Sequence, residues 1–399
     1  MSARLRLASG TAEVLTSLRR SLAGDGVTAP LPSAGPERAQ TLAMLHPDVP
    51  VSEPDAAAVV ATSGSTGQPR GVVLTRTALL ASANATHERL GGPGRWVLAL
   101  PAHYVAGLMV LVRSLAADQP VVEVDSRLSG LPKADLGDGR AYLSVVPTQL
   151  TRALADPALT RALTRFDGVL LGGAAADPAL LERAEAAGVR VVTTYGMSET
   201  CGGCVYDGRP LDGVQVDLAE DGRISIDAPS VFAGYRLDPA TTAGALVDGR
   251  LVTSDRGTWV DGRLTVLGRV DDVIISGGLN VDLAAVERAV RGWAGEAAVV
   301  GVPSVEWGTE VVAVVDSDNR PHNDDPRRGD RSADSLSGRF SESSDSLAAL
   351  RLALTPLLPA YALPRRLLTG TLPRTAGGKI DRRRLVANLT RSTEQPETL

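Results

Sequence analysis

The stretch TSGSTGQPRG, residues 62–71, combines hydroxyl side chains, glycines and one arginine directly after the apolar run AAAVVA. Glycines let a backbone turn its N–H groups toward an anion, hydroxyls donate hydrogen bonds, and an arginine adds fixed positive charge. The stretch matches neither the GxxxxGK[ST] pattern nor GxGxxG. It therefore predicts either a phosphate-binding loop of another kind or an ordinary turn between a strand and a helix.

The composition of the chain indicates a globular protein that acts on small molecules. Its 399 residues, 44% of them hydrophobic, allow two or three domains. The net charge of -5 comes from interspersed acids and bases, so neither a nucleic-acid footprint nor a polybasic membrane patch is predicted. No apolar run approaches the ~20 residues of a membrane span. With only two cysteines, Cys201 and Cys204, a cytoplasmic location is expected.

The elements that must position this loop alternate along the first half of the chain. Between residues 56 and 195, short apolar runs alternate with helical patterns, which predicts a mainly parallel sheet covered by helices. One such helix has Asp177 as its predicted N-cap, Pro178 at its first position and Gly188 as its stop. The Gly- and Pro-rich residues 23–40 are expected to form a connection.

The second half of the chain has a different pattern of predicted strands and helices. Between residues 213 and 268, short strands separated by Asp-Gly and Gly-Arg turns predict a small antiparallel region. From residue 270, a hairpin, a helix and two strands predict a small α+β domain, and residues 317–346 are so polar that a disordered insertion is expected there. The predicted fold class is α/β, with an N-terminal domain over 1–269 and a mobile C-terminal domain over 270–399.

Four further segments belong with the loop: TTYGMSET (193–200), TSDRG (253–257), GRVDDVIISGG (268–278) and PRTAGGKIDRRRL (373–385). Together, in this order, they resemble the adenylate-forming superfamily of acyl-CoA synthetases, luciferases and peptide-synthetase adenylation domains. The resemblance implies a two-domain enzyme that uses ATP, Mg²⁺ and coenzyme A. It would first join a carboxylate to AMP, releasing pyrophosphate, and then transfer the acyl group to a thiol.

The resemblance assigns roles around the phosphates. Arg70 stands where the family usually has lysine, so the charge is kept while its geometry changes. Glu199 would help to hold Mg²⁺, and Thr200 would contact the α-phosphate. The residues that would grip the β- and γ-phosphates are Thr62, Ser63, Gly64, Ser65, Thr66, Gly67, Arg70 and Gly71.

Other matched residues would contact the nucleoside. Tyr195, followed by Gly196, would present a flat face to adenine, whereas Asp255 would accept both ribose hydroxyls and Arg269 would reach the ribose. Close approach of the base and the acyl group would use Gly172, Gly173 and Ala174. The residues themselves leave structural roles open, namely tight packing for the Gly-Gly-Ala run and a turn for Asp255.

The resemblance assigns two roles to the C-terminal motifs, namely stabilisation of developing charge and rotation of the domain between the two steps. Lys379, in a Gly-Gly turn, would neutralise charge that develops between the acyl carboxylate and the α-phosphate. Asp271 would be the hinge about which the C-terminal domain rotates between steps. Gly277 and Gly278 would line the pantetheine channel, although a simple hairpin turn also explains them.

Three segments narrow the acid substrate. PAHYVAGL (101–108), SVVPTQL (144–150) and YGMSETCGGCVYDGRPL (195–211) resemble short actinobacterial o-succinylbenzoate:CoA ligases of menaquinone synthesis. Such a substrate needs apolar walls and a polar anchor for its second carboxylate. His103 is expected to border the acyl pocket, unless it is a core histidine, and Thr148 and Gln149 are further candidates for contact.

Several alternatives stay open on the sequence. The CxxC spacing of Cys201 and Cys204 permits redox or zinc chemistry, but small residues of the pocket wall are the favoured interpretation. The acid could be another aryl or medium-chain acid, and a nucleotide-binding protein without catalysis is a further alternative. A serine hydrolase is disfavoured because no GxSxG motif is present. A homo-oligomer is compatible with the sequence.

Overall fold

The computed structural model of the protein describes residues 3–63, 69–316, 340–342, 344–375 and 379–394. Contacts divide the chain into two compact units, one of Met1–Thr253 with Thr258–Thr265 and one of Ser254–Gly257 with Val266–Leu399. The functional boundary after residue 269 stays a prediction.

The first sheet of unit 1 carries the glycine-rich loop. Its strands, in spatial order, are β1 (Leu5–Ser9), β2 (Val27–Leu31), β3 (Ala56–Ser63), β4 (Pro69–Thr75) and β14 (Gly234–Tyr235). The pairs β1–β2 and β2–β3 are parallel, whereas β4 is antiparallel to both β3 and β14. The loop therefore connects two antiparallel strands, and the alternative of a strand-to-helix turn was wrong.

The structure also corrects the interpretation of residues 23–40 as a connection. Strand β2 is buried along its whole length, and helix α2 (Pro36–Leu45) begins with a proline at its first position. Prolines within and around these elements suggested turns, yet the fixed φ of proline suits the first turn of a helix. Tertiary burial of VTAPL outweighed the turn signal.

The second sheet of unit 1 is the predicted parallel sheet. Its strands in chain order are β5 (Arg95–Leu98), β6 (Val122–Glu123), β7 (Ala141–Val145), β8 (Gly168–Leu171), β9 (Val191–Met197), β10 (Gly202–Tyr206) and β11 (Arg209–Pro210). The spatial order is β11-β10-β9-β8-β7-β5-β6, with parallel pairing from β6 to β9 and antiparallel pairing of β10 and β11 at the edge. Strands β7 and β8 are wholly buried, as expected for a sheet covered on both faces.

Helices cover these sheets. Besides α2, unit 1 contains α1 (Gly10–Leu22), α3 (Arg76–Arg89), α4 (Val105–Ala116), α5 (Pro147–Ala153), α6 (Pro157–Leu163), α7 (Pro178–Ala186) and α8 (Pro239–Ala245). The caps predicted for α7 are confirmed, since the Asp177 side chain accepts from Ala179 N–H and Gly188 has a φ of +75°. Among the described residues, no helix combines the length and the apolar content that crossing a membrane requires.

A third sheet forms the predicted antiparallel region. Its strands are β12 (Gln215–Leu218), β13 (Arg223–Asp227), β15 (Leu246–Val247), β16 (Arg250–Val260) and β17 (Arg263–Arg269), in the order β12-β13-β16-β15 with β17 pairing β16. Because β16 and β17 contain the points at which the chain passes between units 1 and 2, the division of the chain runs through this sheet.

Unit 2 has the predicted α+β composition. Its strands are β18 (Val273–Ser276), β19 (Leu279–Asp282), β20 (Ala297–Ser304), β21 (Gly308–Asp316), β22 (Ser341–Glu342) and β23 (Arg366–Gly370), and its helices are α9 (Leu283–Ala294), α10 (Ser344–Leu354) and α11 (Arg382–Glu394). Strands β18 and β19 form a hairpin, and the other four form a sheet of order β20-β21-β23-β22.

The end of the stretch predicted to be disordered, 317–346, forms regular structure instead. Strand β22 pairs with β23, and α10 begins at Ser344. Burial of Leu350 and Leu354 stabilises this helix. The rest of that stretch, 317–339 and 343, lies outside the described residues.

Candidate active site

The strands β3 and β4 hold the two ends of the glycine-rich loop. Thr62 pairs with Arg70 across the hairpin, and the Thr62 hydroxyl lies 3.4 Å from the Arg70 carbonyl oxygen. Ser63 pairs with Pro69. The predicted contacts of Gly64, Ser65, Thr66 and Gly67 lie outside the described residues.

Gly71 follows the loop, and packing accounts for its lack of a side chain. A Cβ atom there would lie 2.7 Å from Met44 Sδ and 3.0 Å from Arg236 Cβ. The Arg236 N–H donates to the Gly71 carbonyl at 2.7 Å, and its guanidinium donates to the carbonyls of Leu45 and His46 at the end of α2. Close packing against α2 therefore fixes the base of the loop.

Tyr235 brings two predicted site residues together. Its hydroxyl donates to Glu199 Oε1 at 2.8 Å, and the Arg70 guanidinium carbon lies 5.7 Å from the centroid of its ring. Burial and the neighbouring Glu199 charge raise the pKa of Tyr235, so the hydroxyl remains a donor. Tyr235 was missed in the sequence because no local signal joins it to residues that are distant along the chain.

Thr200 is engaged by the backbone. Its hydroxyl accepts from Met197 N–H at 2.9 Å and lies 2.7 Å from the Gly202 carbonyl oxygen, a suitable acceptor for its proton. The residue is fully buried. At Gly196, a Cβ atom would lie 2.0 Å from the same Gly202 oxygen, so the antiparallel pairing of β9 with β10 requires glycine here. The predicted phosphate contact of Thr200 requires this hydroxyl to exchange a backbone partner.

Several predicted residues follow the carboxyl ends of neighbouring parallel strands. His103 follows β5, Thr148 follows β7, Gly172 follows β8 and Tyr195 lies near the end of β9. The carboxyl edge of such a sheet is where ligands bind in α/β proteins.

The run of Gly172, Gly173 and Ala174 lies just beyond β8. A Cβ atom at Gly172 would lie 2.5 Å from Thr194 Oγ1, and Gly173 has a φ of +85°. Packing and backbone conformation thus both favour glycine here, while Ala174 is exposed. Gln149 is not free for substrate, since its amide donates to the carbonyls of Ala99 and Ser126.

His103 belongs to a small polar cluster with two residues that the sequence did not single out. Its Nε2 lies 3.9 Å from Glu37 Oε1, and the adjacent Tyr104 hydroxyl donates to the same carboxylate oxygen. Burial lowers the pKa of His103, while the Glu37 charge acts in the opposite direction. The Nε2 atom is buried without a hydrogen-bond partner in the described part of the chain. His103 is therefore a neutral imidazole near neutral pH, with a ring nitrogen available to a ligand.

Arg113 is the second functional candidate that the sequence analysis missed. It is 3% exposed, its guanidinium carbon lies 4.9 Å from the Trp96 ring centroid, and no ion pair joins it to a carboxylate of the described residues. Its Nη2 would lie 3.9 Å from a Cβ atom at Gly202, the residue that contacts Thr200. Burial lowers the pKa of Arg113. A lone arginine within the apolar helix VAGLMVLVRSLA was the available signal.

In unit 2, three predicted residues lie together. Arg269 Nη1 is 3.5 Å from Asp255 Oδ1, and its Nη2 is 3.2 Å from Asp271 Oδ2. Burial acts to lower the pKa of Arg269, but the hydrogen bond to Asp271 and the charge of Asp255 raise it above its usual value. Asp255 is the more buried of the two acids, at 17% exposure against 60% for Asp271. The predicted ribose contacts and the predicted hinge thus share one guanidinium.

Gly277 and Gly278 form the two-residue turn between β18 and β19. Their φ values of +57° and +81° require glycine or a tolerant residue, and a Cβ atom at Gly277 would lie 2.9 Å from the Trp307 ring. The hairpin alone therefore explains both glycines.

Lys379 has an exposed side chain at the end of its turn. Its carbonyl accepts from Thr375 N–H at 2.8 Å, and Arg374 pairs with Ile380 as an isolated bridge. Arg374 also contacts Glu296 at 2.5 Å and the buried Asp316 at 3.6 Å, which anchors the start of the turn.

The two cysteines do not have the environment of reactive thiols. Both are buried, and burial raises the pKa of Cys204 to about 12 and that of Cys201 further. A thiol that stays protonated is a poor nucleophile and metal ligand. Over the described ranges, no group of three or more His, Cys, Asp or Glu side chains is arranged to hold a metal ion.

Comparison with known proteins identifies the family of this arrangement. The profile of the family described as AMP-binding enzyme matches residues 7–236. A probable 2-succinylbenzoate--CoA ligase of Mycobacterium tuberculosis is 40% identical over 401 aligned residues, which cover 97% of this chain and 98% of that protein.

Solved structures show the same fold. ATP-bound MatB from Rhodopseudomonas palustris superposes with a TM-score of 0.77 at 22% identity, covering 98% of this chain and 90% of that one. The o-succinylbenzoate CoA synthetase MenE from Bacillus subtilis, in complex with the acyl-adenylate intermediate OSB-AMP, gives a TM-score of 0.68 at 23% identity, covering 95% and 82%. The predicted α/β fold of adenylate-forming enzymes is confirmed.

Proposed function

The chain belongs to the AMP-binding enzyme family, and on this premise we propose that it is an o-succinylbenzoate:CoA ligase of menaquinone biosynthesis. The observation that carries the assignment is the end-to-end match to the mycobacterial ligase. The substrates are then ATP, coenzyme A and an aryl keto acid with two carboxylates.

In the first half-reaction, a carboxylate oxygen of the substrate attacks the α-phosphorus of ATP, and the bond to the β-phosphate breaks to release pyrophosphate. Arg70 and the loop from Thr62 to Gly71 would hold the departing phosphates. Mg²⁺ supplies positive charge to phosphate oxygens, and Glu199 would hold it. One carboxylate fits this ion, because Mg²⁺ uses few protein ligands besides water and phosphate. Tyr235 occupies only one oxygen of Glu199.

Lys379 would stabilise the negative charge between carboxylate and α-phosphate. The composition of the chain supports a specific need for an amine there. Of 41 basic Lys and Arg residues, only Lys133 and Lys379 are lysines. Lysine carries a compact charge on a flexible stem, which suits a group that must reach a reacting centre.

Asp255, with Arg269 beside it, would accept the ribose hydroxyls. Adenine would lie against Tyr195 and Gly196, and Thr200 would meet the α-phosphate. Beyond β8, Gly172, Gly173 and Ala174 would leave space for base and acyl group.

In the second half-reaction, the coenzyme A thiol attacks the acyl carbon and displaces AMP. Gly277 and Gly278 would border the pantetheine, and Asp271 would be the hinge of the predicted rotation. His103, neutral and with an Nε2 that has no hydrogen-bond partner among the described residues, would border the acyl pocket.

Arg113 would bind the carboxylate that is not activated. A buried guanidinium without a carboxylate partner in the described chain carries an unsatisfied charge, and a substrate carboxylate supplies the complementary one. This assignment gives a carboxylate partner to a charge in the last turn of α4 whose described contact is the Trp96 ring.

The test is a ligase assay with ATP, Mg²⁺ and coenzyme A over a panel of acids: o-succinylbenzoate, benzoate, a keto acid lacking the second carboxylate, and octanoate. The coenzyme A ester is identified by mass spectrometry. We expect o-succinylbenzoate to give the highest kcat/KM. A higher value for benzoate or octanoate would favour the alternative of a ligase for another acid, and no ester with any acid would favour nucleotide binding without catalysis.

A cytoplasmic location is part of the proposal, whereas a monomer and a homo-oligomer are both compatible with the sequence. Fractionation of cells and light scattering of the purified protein test them separately.

A further inference from the structure

Tyr235 connects two groups that the proposed chemistry uses separately. Its hydroxyl reaches Glu199 Oε1 at 2.8 Å, and its ring faces the Arg70 guanidinium at 5.7 Å. Glu199 lies in the short 3₁₀ turn after β9, whereas Arg70 lies on β4 in a different sheet. Tyr235 is therefore a physical link between the metal-binding carboxylate and the phosphate loop.

Contacts other than those with the Glu199 and Arg70 side chains also hold Tyr235 in place. Strand β14 pairs with β4 through Tyr235 and Val72, and the Tyr235 N–H donates to the Thr242 hydroxyl at 2.8 Å. The Phe232 ring packs edge-on at 4.9 Å between centroids. Tyr235 is 9% exposed. A side chain held in this way can restrict the conformations of the Glu199 and Arg70 side chains that contact it.

We propose that Tyr235 is a positioning residue that sets the Glu199 carboxylate and the Arg70 guanidinium for joint binding of the Mg²⁺–triphosphate. The hydrogen bond orients the carboxylate and leaves its second oxygen for the ion. The ring gives the planar guanidinium a surface to lie on, which a lysine ammonium uses less well. This explains how the site accommodates arginine where the superfamily usually has lysine. The inference rests on the proposed function.

The first test is Tyr235→Phe, which keeps the ring and removes the hydroxyl. We expect the apparent affinity for Mg²⁺–ATP in acid-dependent ATP–pyrophosphate exchange to fall about tenfold, the usual scale of one charge-assisted hydrogen bond. Thioester formation from preformed acyl-adenylate should change less than about twofold. Calorimetry should show the same loss in binding of Mg²⁺–ATP without any turnover.

The matched control is Tyr142→Phe. Tyr142 is fully buried in the same unit, and its hydroxyl donates to the carbonyl of Gly92 at 2.8 Å. This variant loses a hydrogen bond that is part-buried, like that of Tyr235, without contacting the proposed site. It should lower thermal stability while leaving the affinity for Mg²⁺–ATP unchanged.

A mutant cycle separates positioning from general damage. In a Glu199→Ala background, Tyr235→Phe should cost less than about twofold in calorimetric affinity, because its acceptor is already gone. An undiminished loss in that background, or no loss in the wild type, would overturn the proposal.

A second variant covers the case in which Tyr235→Phe does not fold. Thr242→Ala removes the acceptor of the Tyr235 N–H and should weaken Mg²⁺–ATP binding about threefold, whereas Thr242→Ser should restore it. Equal affinities for Ala and Ser would contradict the proposal. If the acid panel rejects o-succinylbenzoate, the proposed substrate fails, but calorimetry with Mg²⁺–ATP still tests Tyr235.

Discussion

Replacing Arg113 by methionine should make the fold more stable and the enzyme less selective. Arg113 is 3% exposed and has no carboxylate partner among the described residues, so its charge is desolvated without a compensating ion pair. Methionine keeps much of the volume within α4 and removes the charge. The fold and the substrate therefore make opposite demands on one position.

The expected magnitudes follow from the environment of the side chain. The penalty for a buried unpaired charge is several kcal/mol, and contact with the face of Trp96 returns about 2 kcal/mol when desolvated. We expect the free energy of unfolding to rise by about 1–3 kcal/mol in Arg113→Met. For o-succinylbenzoate, loss of a charged hydrogen bond of about 1.5–3 kcal/mol should lower kcat/KM about 10- to 150-fold.

Two assays check this pair of effects. Urea unfolding measures stability, and kcat/KM is compared between o-succinylbenzoate and a keto acid that lacks the second carboxylate. The kcat/KM for o-succinylbenzoate divided by that for the keto acid should fall in Arg113→Met, because only o-succinylbenzoate loses a partner for its second carboxylate. Arg95→Met is the control, since Arg95 is ion-paired with Asp135 at 3.0 Å and has no assigned role. A destabilised Arg113→Met, or an equal loss for both acids, would refute the reasoning.

The other predictions concern charge, rotation and pH. Lys379→Ala should reduce adenylate formation by at least about 100-fold with the fold retained, whereas the exposed Lys133→Ala should not, as pyrophosphate release will show. Asp271→Pro should slow thioester formation more than adenylation in single-turnover assays, and equal losses would contradict a hinge. His87 accepts from Trp96 Nε1–H at 3.1 Å, and burial lowers the pKa of its imidazole from 6.5 to about 4. As pH falls, His87 is therefore protonated in the unfolded chain before it is protonated in the folded protein. The free energy of unfolding should decrease between about pH 6.5 and 4 for this reason. His87→Gln should reduce that decrease, as measured by urea unfolding.

Much of the fold could be predicted from local patterns. The caps of α7, the buried runs of β7 and β8, and the Gly277–Gly278 hairpin are each specified by a few neighbouring residues. The prediction of a connection over residues 23–40 was wrong because the burial of β2 depends on its pairing with β1 and β3, which no local signal reveals. Proline signals were strong there, and tertiary packing outweighed them.

In the candidate site, too, some residues could be predicted from local motifs and others depend on tertiary contacts. Motif order predicts the loop, Glu199, Asp255 and Lys379 as site residues, because these carry recognisable chemistry, and their roles stay predictions. Tyr235 could not be found in this way, since its role depends on β14 lying beside β4. Arg113 was visible as one charge in an apolar helix, but only the structure showed that the described chain offers it no acid.

The packing around Gly71 sets a lower limit on how short such an enzyme can be. The base of the phosphate loop rests on Met44, and Arg236 joins it to the end of α2 through backbone carbonyls. Residues of α2 and its C-terminal end therefore support the strand that follows the glycine-rich loop. Removing α2 would take away this support, so a shortened version of the protein has to keep that helix.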